Sequence, residues 1–390
     1  MPEIALPTAA KQDEILNQFQ ILKTAPLMDA DGKTMKPHTQ DSLNLVRVIS
    51  DSIPSIEKDF KFSDDGKYVY IYTVKADIYS INLETLEVKV FDYTQIPIPT
   101  STTINTKPTV TNYSLFSISG DFLFFYTTAF VCKVNRFTMQ LVSSASVGIS
   151  QAVMNPSSIA VTNDYVYFFA LYSASGVRST KVVIFKKSDL SIYTATTDFL
   201  DLNNISPIAP MNSISYNNTI YLFAGELDSA KCYKIVAGAI KASAASQSLS
   251  VGINSVKGKG FIVNDTQNIY LLNCAIAIDI QTLAIKVNST TFDIGYSSLQ
   301  KVGDKYFLTE KSGYKSTLGS VLHSIDTSDM SKTYQVEPNY FKLISQSTEP
   351  LPIPAQFIIY LSDKQYLICT DTQLALYEKT KNIIAWRVVE

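Results

Sequence analysis

The chain has 390 residues, 46% hydrophobic, 17% charged and 11% aromatic, with a formal net charge of −2 and a pI near 5.8. That apolar content is enough to offset the entropy of ordering and excludes a disordered chain. The near-balanced charge leaves no overall basic surface for a phosphate backbone, and no apolar run reaches membrane-spanning length, so neither nucleic-acid binding nor membrane insertion is expected.

The first residues, Met1 to Pro7, lack a basic region followed by an apolar stretch. A secretory signal is therefore not expected, and synthesis in the cytosol is. After Pro7 and Thr8, the stretch AAKQDEILNQFQILK predicts a helix. Ile15, Leu16, Phe19 and Leu22 recur at helical spacing on one face, and Asp13 and Glu14 suit its first turns. Such a stripe packs either on its own domain or on another chain. The polar stretch PLMDADGKTMKPHTQDS that follows reads as a tether. Residues 1–44 are thus expected to form an assembly arm, and residues 45–390 a separate domain.

From there on the chain repeats. A turn signal precedes a short aromatic strand in SDDGKYVYIY (63–72), SGDFLFFY (119–126), TNDYVYFF (162–169), YNNTIYLF (216–223), NDTQNIYLL (264–272), VGDKYFLT (302–309) and SDKQYLIC (362–369). The strand pentapeptides begin at 68, 122, 165, 219, 268, 305 and 365, a mean spacing of about 50 residues. Their third residues are Tyr70, Phe124, Tyr167, Tyr221, Tyr270, Phe307 and Leu367. A hairpin pattern follows each strand. Apolar residues sit five apart across its turn in Ile81/Leu86, Val134/Met139, Phe185/Leu190, Ile235/Ile240, Ile278/Leu283 and Ile325/Met330. The seventh repeat departs, with Tyr377 facing Asn382. A further apolar run precedes each pentapeptide, as in SSIAV (157–161) and FIIYL (357–361). Each unit is then a meander of four short strands whose two faces need cover. Sheets stacked around an axis cover each other and leave few open edges. The expected fold is all-β: a seven-bladed β-propeller of four-stranded blades with an N-terminal helical arm.

YVYIY (68–72) with SINLETLEV (80–88), and NIYLL (268–272) with AIDIQTLAI (277–285), resemble the repeats of YVTN-type propellers. This resemblance implies a fold and no activity. The Trp-Asp signature of the commonest propeller repeat is missing, since the sole tryptophan is Trp386. The segment LPTAAKQDEIL is similar to N-terminal helices of bacteriophage tail and virion proteins, which implies a particle subunit.

The four cysteines, Cys132, Cys232, Cys274 and Cys369, are far apart and each lies in a strand-like run, which suits buried thiols. Only His38 and His323 are available as imidazole ligands, and neither has ligand spacing to a cysteine, so no metal or other cofactor is expected. Aspartates and glycines at the turns (Asp64, Asp65, Gly66, Gly120, Asp121, Asp164, Gly303, Asp304 and Asp363) recur once per unit and read as turn chemistry rather than a calcium site. No nucleophile elbow or phosphate loop occurs. The best place for a ligand is the set of loops joining the second and third strands: ALYSASGVRST (170–180), AGELDSA (224–230) and TEKSGYKSTLGS (309–320). There Tyr172 and Tyr314 can stack on a sugar or peptide, and Arg178, Lys315, Glu226 and Asp228 can hydrogen-bond it. These observations favour a non-enzymatic structural or attachment component of a virion or tail-like particle. Its partners would be neighbouring subunits bound through the arm and a host surface glycan or protein. A free-standing carbohydrate- or protein-binding propeller is the alternative, and a lactonase- or lyase-like enzyme the third reading.

Overall fold

The structure is a computed structural model. It describes residues 27–28, 34–50, 57–73, 77–97, 115–127, 130–148, 154–174, 177–196, 212–225, 230–249, 262–272, 276–288, 296–302, 305–310, 321–326, 333–335, 342–343, 351–352, 357–370 and 373–388. Nearly all of these are strand or turn; among them no α-helix occurs, and a short 3₁₀ turn spans Tyr93–Gln95. The helix expected around Ile15, Leu16, Phe19 and Leu22 lies outside the described residues.

The strands form seven sheets, numbered here in chain order. Sheets 1 to 6 are four-stranded antiparallel meanders, as the repeat predicts. Their second strands begin at Tyr68, Phe122, Tyr165, Thr219, Asn268 and Lys305, and the corresponding strand of sheet 7 begins at Gln365. In sheet 1 the order is Glu57–Phe62, Tyr68–Thr73, Ile78–Asn82 and Val88–Val90. The two turns at one end of sheets 1, 2 and 3 are tied together through the backbone. Leu83 N–H donates to Lys67 O in sheet 1, Arg136 N–H to Asp121 O in sheet 2 and Lys187 N–H to Asp164 O in sheet 3. These turns therefore share one face of the molecule, and the loops joining second to third strands lie on the opposite face.

Sheet 7 is built differently from the expectation. The stretch read as a hairpin around Tyr377 and Asn382 is one continuous strand, Leu374–Val388. Its outer neighbour comes from the other end of the chain, Thr34–Ser50, paired antiparallel from Met35↔Val388 to Ser50↔Leu374. Much of the segment read as a tether is thus sheet, beginning on the N-terminal side of position 45. The physical reason is that an outermost strand left to water exposes a row of unpaired backbone groups, and the N-terminal segment satisfies them.

The sheets pack in sequence around a centre, the arrangement of a β-propeller. Tyr70 and Tyr72 of sheet 1, Phe116, Phe124 and Phe125 of sheet 2, and Phe168 and Phe185 of sheet 3 share one buried cluster. Sheets 3 and 4 meet through Tyr167, Val182 and Leu222, and sheets 4 and 5 through Phe223, Ile269 and Ile278. In sheet 6, Gln300 clamps the first strand of sheet 7: its Nε2 donates to Tyr360 O at 2.7 Å and its Oε1 accepts from Tyr360 N at 2.8 Å. Sheet 7 packs back on sheet 1 through Phe357, Leu367, Val69 and Ile71.

The recurrent aromatic at the third position has a clear job. The hydroxyl of Tyr167 donates to Ala239 O of the next sheet at 3.2 Å, and that of Tyr221 donates to Ile280 O at 3.2 Å. Both acceptors lie in the turn before the fourth strand. Tyr70 accepts there instead, from Arg136 Nη1 at 3.4 Å. Sheet 2 has Phe124, which carries no hydroxyl. Its cross-strand partner Lys133 takes over, donating to Lys187 O at 3.0 Å and Ser188 O at 2.9 Å.

The apolar pairs set five apart also find their reason. Leu86, Met139, Leu190 and Leu283 all adopt left-handed backbone, with φ of 61°, 57°, 61° and 58°. Each donates its N–H four residues back, as in Leu190 to Lys186 O at 2.9 Å. Met139, Leu190 and Leu283 are buried. The Ile235/Ile240 pair is a correction: Ile240 is exposed, and Gly238 (φ 80°) takes the left-handed position. A β-branched isoleucine resists that conformation, so the turn tightens around glycine. Met330 lies outside the described residues.

Candidate functional site

The first strands of sheets 1 to 6 surround a cavity of about 500 Å³ at the centre of the ring. Lys61, Asp64, Ser119, Asn212, Ser215 and Lys301 contribute its polar lining. Most of these groups already have partners. Lys61 Nζ donates to Phe116 O at 2.5 Å, Ser119 Oγ accepts from Lys187 Nζ at 2.8 Å, and the Oδ1 of Asn212 accepts from Ser213 N–H at 2.9 Å. Ser158 and Ser213 join sheets 3 and 4 through a 2.5 Å hydroxyl contact. Ser215 Oγ is buried and has no protein partner. Among the described lining residues Asp64 is the sole carboxylate, so the cavity offers hydrogen bonds to a polar guest rather than a pair of carboxylates for acid–base work.

Of the loop residues expected to bind ligand, Tyr172 and Arg178 fall in strands, Tyr165–Ala174 and Val177–Lys186. The stretch 170–180 is therefore a long hairpin and not an open loop. Its register sets Tyr172 opposite Ser179 and Arg178 opposite Ser173. Glu226, Asp228, Tyr314 and Lys315 lie outside the described residues.

Of the aspartates before the second strands, Asp65 braces its turn: it accepts from the Ser63 hydroxyl and from Lys67 N–H, while Gly66 and Gly120 supply left-handed backbone. Asn82, Asn135 and Asp279 each accept two backbone N–H bonds two and three residues on. This explains the Asx-x-x-Thr pattern of SINLET and AIDIQT as a turn brace. The Thr282 N–H and the Lys286 ammonium, 3.0 Å away, hold the Asp279 carboxyl well below the ordinary carboxylate range. Among the described residues no three His, Cys, Asp or Glu side chains converge as a metal site would require. Cys132, Cys232 and Cys369 are buried, and burial pushes the Cys132 and Cys232 thiols far up. Cys274, Gly303 and Asp304 lie outside the described residues. His38 sits in the Thr34–Ser50 strand and His323 in Val321–Asp326.

Sequence reasoning missed a second cleft, on the turn face between sheets 2 and 3. Phe122, Lys133, Asp164, Tyr165, Lys187 and Tyr193 line its volume of about 430 Å³. The signal present in the sequence was the paired lysines of IFKKSDL (184–190), at a turn where four other repeats carry asparagine or aspartate (Asn82, Asn135, Asp279 and Asp326).

No protein-family profile matches the chain, and no curated protein matches it in sequence. Solved structures do match. The WD40 domain of Neurospora crassa Pan2 superposes with a TM-score of 0.50 at 9% identity, covering 91% of this chain and 97% of that one. The β-propeller domain of Myceliophteria thermophila Cps50 (Swd1) gives 0.49 at 10% identity, covering 87% and 100%. The RRP9 WD40 repeats give 0.47 at 8% identity, covering 88% and 100%. The Pan2 likeness agrees with the sheet topology: the chain has the β-propeller fold. At that level of identity it speaks for architecture alone.

Proposed function

We propose that the chain is a non-enzymatic interaction protein, a seven-bladed propeller that joins a larger assembly through its N-terminal arm and first long strand. The observation that supports this best is on the Thr34–Ser50 strand of sheet 7, which is also flanked by Leu27–Met28 and, at Leu43, by Lys342–Leu343. Leu45, Val46 and Val48 are 49%, 51% and 43% exposed there, on the strand that leads back into the arm. Contiguous exposed apolar side chains of this kind mark contact surfaces. The apolar stripe of Ile15, Leu16, Phe19 and Leu22 belongs to the same N-terminal segment. Protein partners are the class such a surface fits.

The finer reading is a subunit of a bacteriophage virion or tail-like particle, assembled in the host cytoplasm and built on YVTN-type repeats. It rests on the likeness of LPTAAKQDEIL to virion helices, with Tyr172, Arg178, Glu226, Asp228, Tyr314 and Lys315 facing a host glycan or protein. Light scattering of the full chain, of a chain starting at Leu27 and of a Val46→Asp variant tests the assembly reading. Loss of self-association or partner capture in both altered chains supports it; three identical monomers overturn it. Detection of the chain in purified, salt-washed particles tests the particle setting separately.

A further inference from the structure

Lys133 is 7% exposed, yet no carboxylate pairs with it. Its role as a peg uses two of the three ammonium hydrogens, on Lys187 O and Ser188 O, and the ring of Phe122 lies 4.3 Å from Nζ. Lys187 stands beside it and has one hydrogen bond to a side chain, from Nζ to Ser119 Oγ at 2.8 Å. Lys186, on the same turn, lines the same cleft. Among the described residues none of the three lysines makes an ion pair within 4.0 Å.

Burial draws the Lys133 amine below the ordinary lysine range, against the pull of Asp189. Burial, and then repulsion from Lys133, does the same to Lys187, against the pull of Asp164. Asp189 is occupied with the Ser191 N–H at 2.8 Å. Two partly desolvated like charges side by side are costly unless something of opposite sign sits between them. The peg explains the position of Lys133; it does not explain why two further lysines face the same cleft. The cleft is open to solvent and roomy, and Tyr165 and Tyr193, with ring centroids 4.8 Å apart, form one wall.

We propose that the cleft between sheets 2 and 3, on the turn face, is a binding site for an oxyanion held by Lys133, Lys186 and Lys187. The free ammonium hydrogens supply charge-assisted bonds, and the tyrosine wall covers whatever carries the anion. The same chemistry fits a free phosphate and the carboxylate of an acidic peptide. This site is independent of the arm and lies on the face opposite the hairpin bearing Tyr172 and Arg178.

The test is calorimetric titration of the full chain with inorganic phosphate and, separately, with a short glutamate peptide, against sodium chloride at matched ionic strength. A Lys186→Met/Lys187→Met variant is titrated alongside, and its melting temperature is recorded to show that it folds. Lys133→Met is avoided as the main probe because it orphans two carbonyls. Saturable binding of phosphate, weakened roughly tenfold or more in the variant, supports the site with phosphate as its source. Saturable binding of the peptide alone, weakened likewise, supports it with a protein carboxylate as the source. No saturable binding of either, or binding undiminished in a folded variant, overturns the proposal. If the double variant does not fold, Lys186→Met alone is titrated, with a weakening of roughly threefold expected and none overturning the idea.

Discussion

Leu190 offers a sharp test of the turn geometry, because it should invert the usual ranking of alanine and glycine. Its backbone is left-handed (φ 61°), its N–H donates to Lys186 O at 2.9 Å, and it is 1% exposed within the cluster shared by sheets 1 to 3. A left-handed conformation costs an L-residue about 1–2 kcal/mol, while burying a leucine contributes about 1.5–3 kcal/mol. Burial wins, which is why an apolar residue holds a position that glycine would occupy more easily. Leu190→Ala keeps the strain and loses the burial, so it should cost about 2–5 kcal/mol. Leu190→Gly loses the same burial but relieves the strain, less the added freedom of the unfolded chain, so it should be more stable than the alanine variant by about 1 kcal/mol. Leu123, fully buried in an ordinary strand, is the control; there alanine should exceed glycine by about 0.5–1 kcal/mol. Urea midpoints of the four variants at unchanged slope measure both differences. Glycine falling below alanine at both sites would refute the claim that Leu190 is strained.

Other expectations follow from the seams and turns. Lys133→Met should destabilise by about 1–3 kcal/mol through the orphaned carbonyls of Lys187 and Ser188, and adding Phe124→Tyr should restore part of the loss in a double-mutant cycle. Gln300→Ala removes both bonds to Tyr360 and should cost about 2 kcal/mol by chemical denaturation, with no change if sheets 6 and 7 are held otherwise. Asp279 holds its carboxyl below the ordinary 3.8, so the unfolded chain binds that proton more readily; its contribution is whole above that value and fades as pH falls below it. Asp279→Asn keeps an oxygen for the Gln281 and Thr282 N–H groups and should flatten the loss of melting temperature between about pH 4 and 2; an unchanged slope counts against the assignment. A chain starting at Leu27 should melt like the full chain, whereas one starting at Asp51 removes the partner of Leu374–Val388 and should melt lower by roughly 10 °C or more.

The repeat was legible because it is written in short apolar and aromatic runs and turn residues, both local signals. All seven second strands begin where the pentapeptides place them. In sheet 7 the first two strands were legible, and the pairing that closes it was not. Thr34–Ser50 contains Pro37, Lys36, His38 and Asp41 and carries little strand pattern of its own; what makes it a strand is pairing with residues more than three hundred positions away. No local reading detects a partner at that separation. The site was legible only as far as individual turns. Lys133 reads as an ordinary strand lysine, and only the packing of sheet 2 on sheet 3 sets it beside Lys187.

The seams also bear on where function is to be sought. Many of the recurrent positions have a structural task in this fold: Tyr70, Tyr167 and Tyr221 bond to the next sheet, Asn82, Asn135 and Asp279 brace their own backbone, and the left-handed Met139, Leu190 and Leu283 are buried. Recurrence therefore argues against ligand binding at those positions. Function belongs to the departures from the pattern. The described residues offer three: the exposed Leu45–Val48 strand that closes sheet 7, the long Tyr165–Lys186 hairpin, and the lysines that replace a hydroxyl and an Asx residue between sheets 2 and 3. The first and third are independent. A chain stripped of its arm that still binds an oxyanion, or an assembling chain that does not, would separate the two.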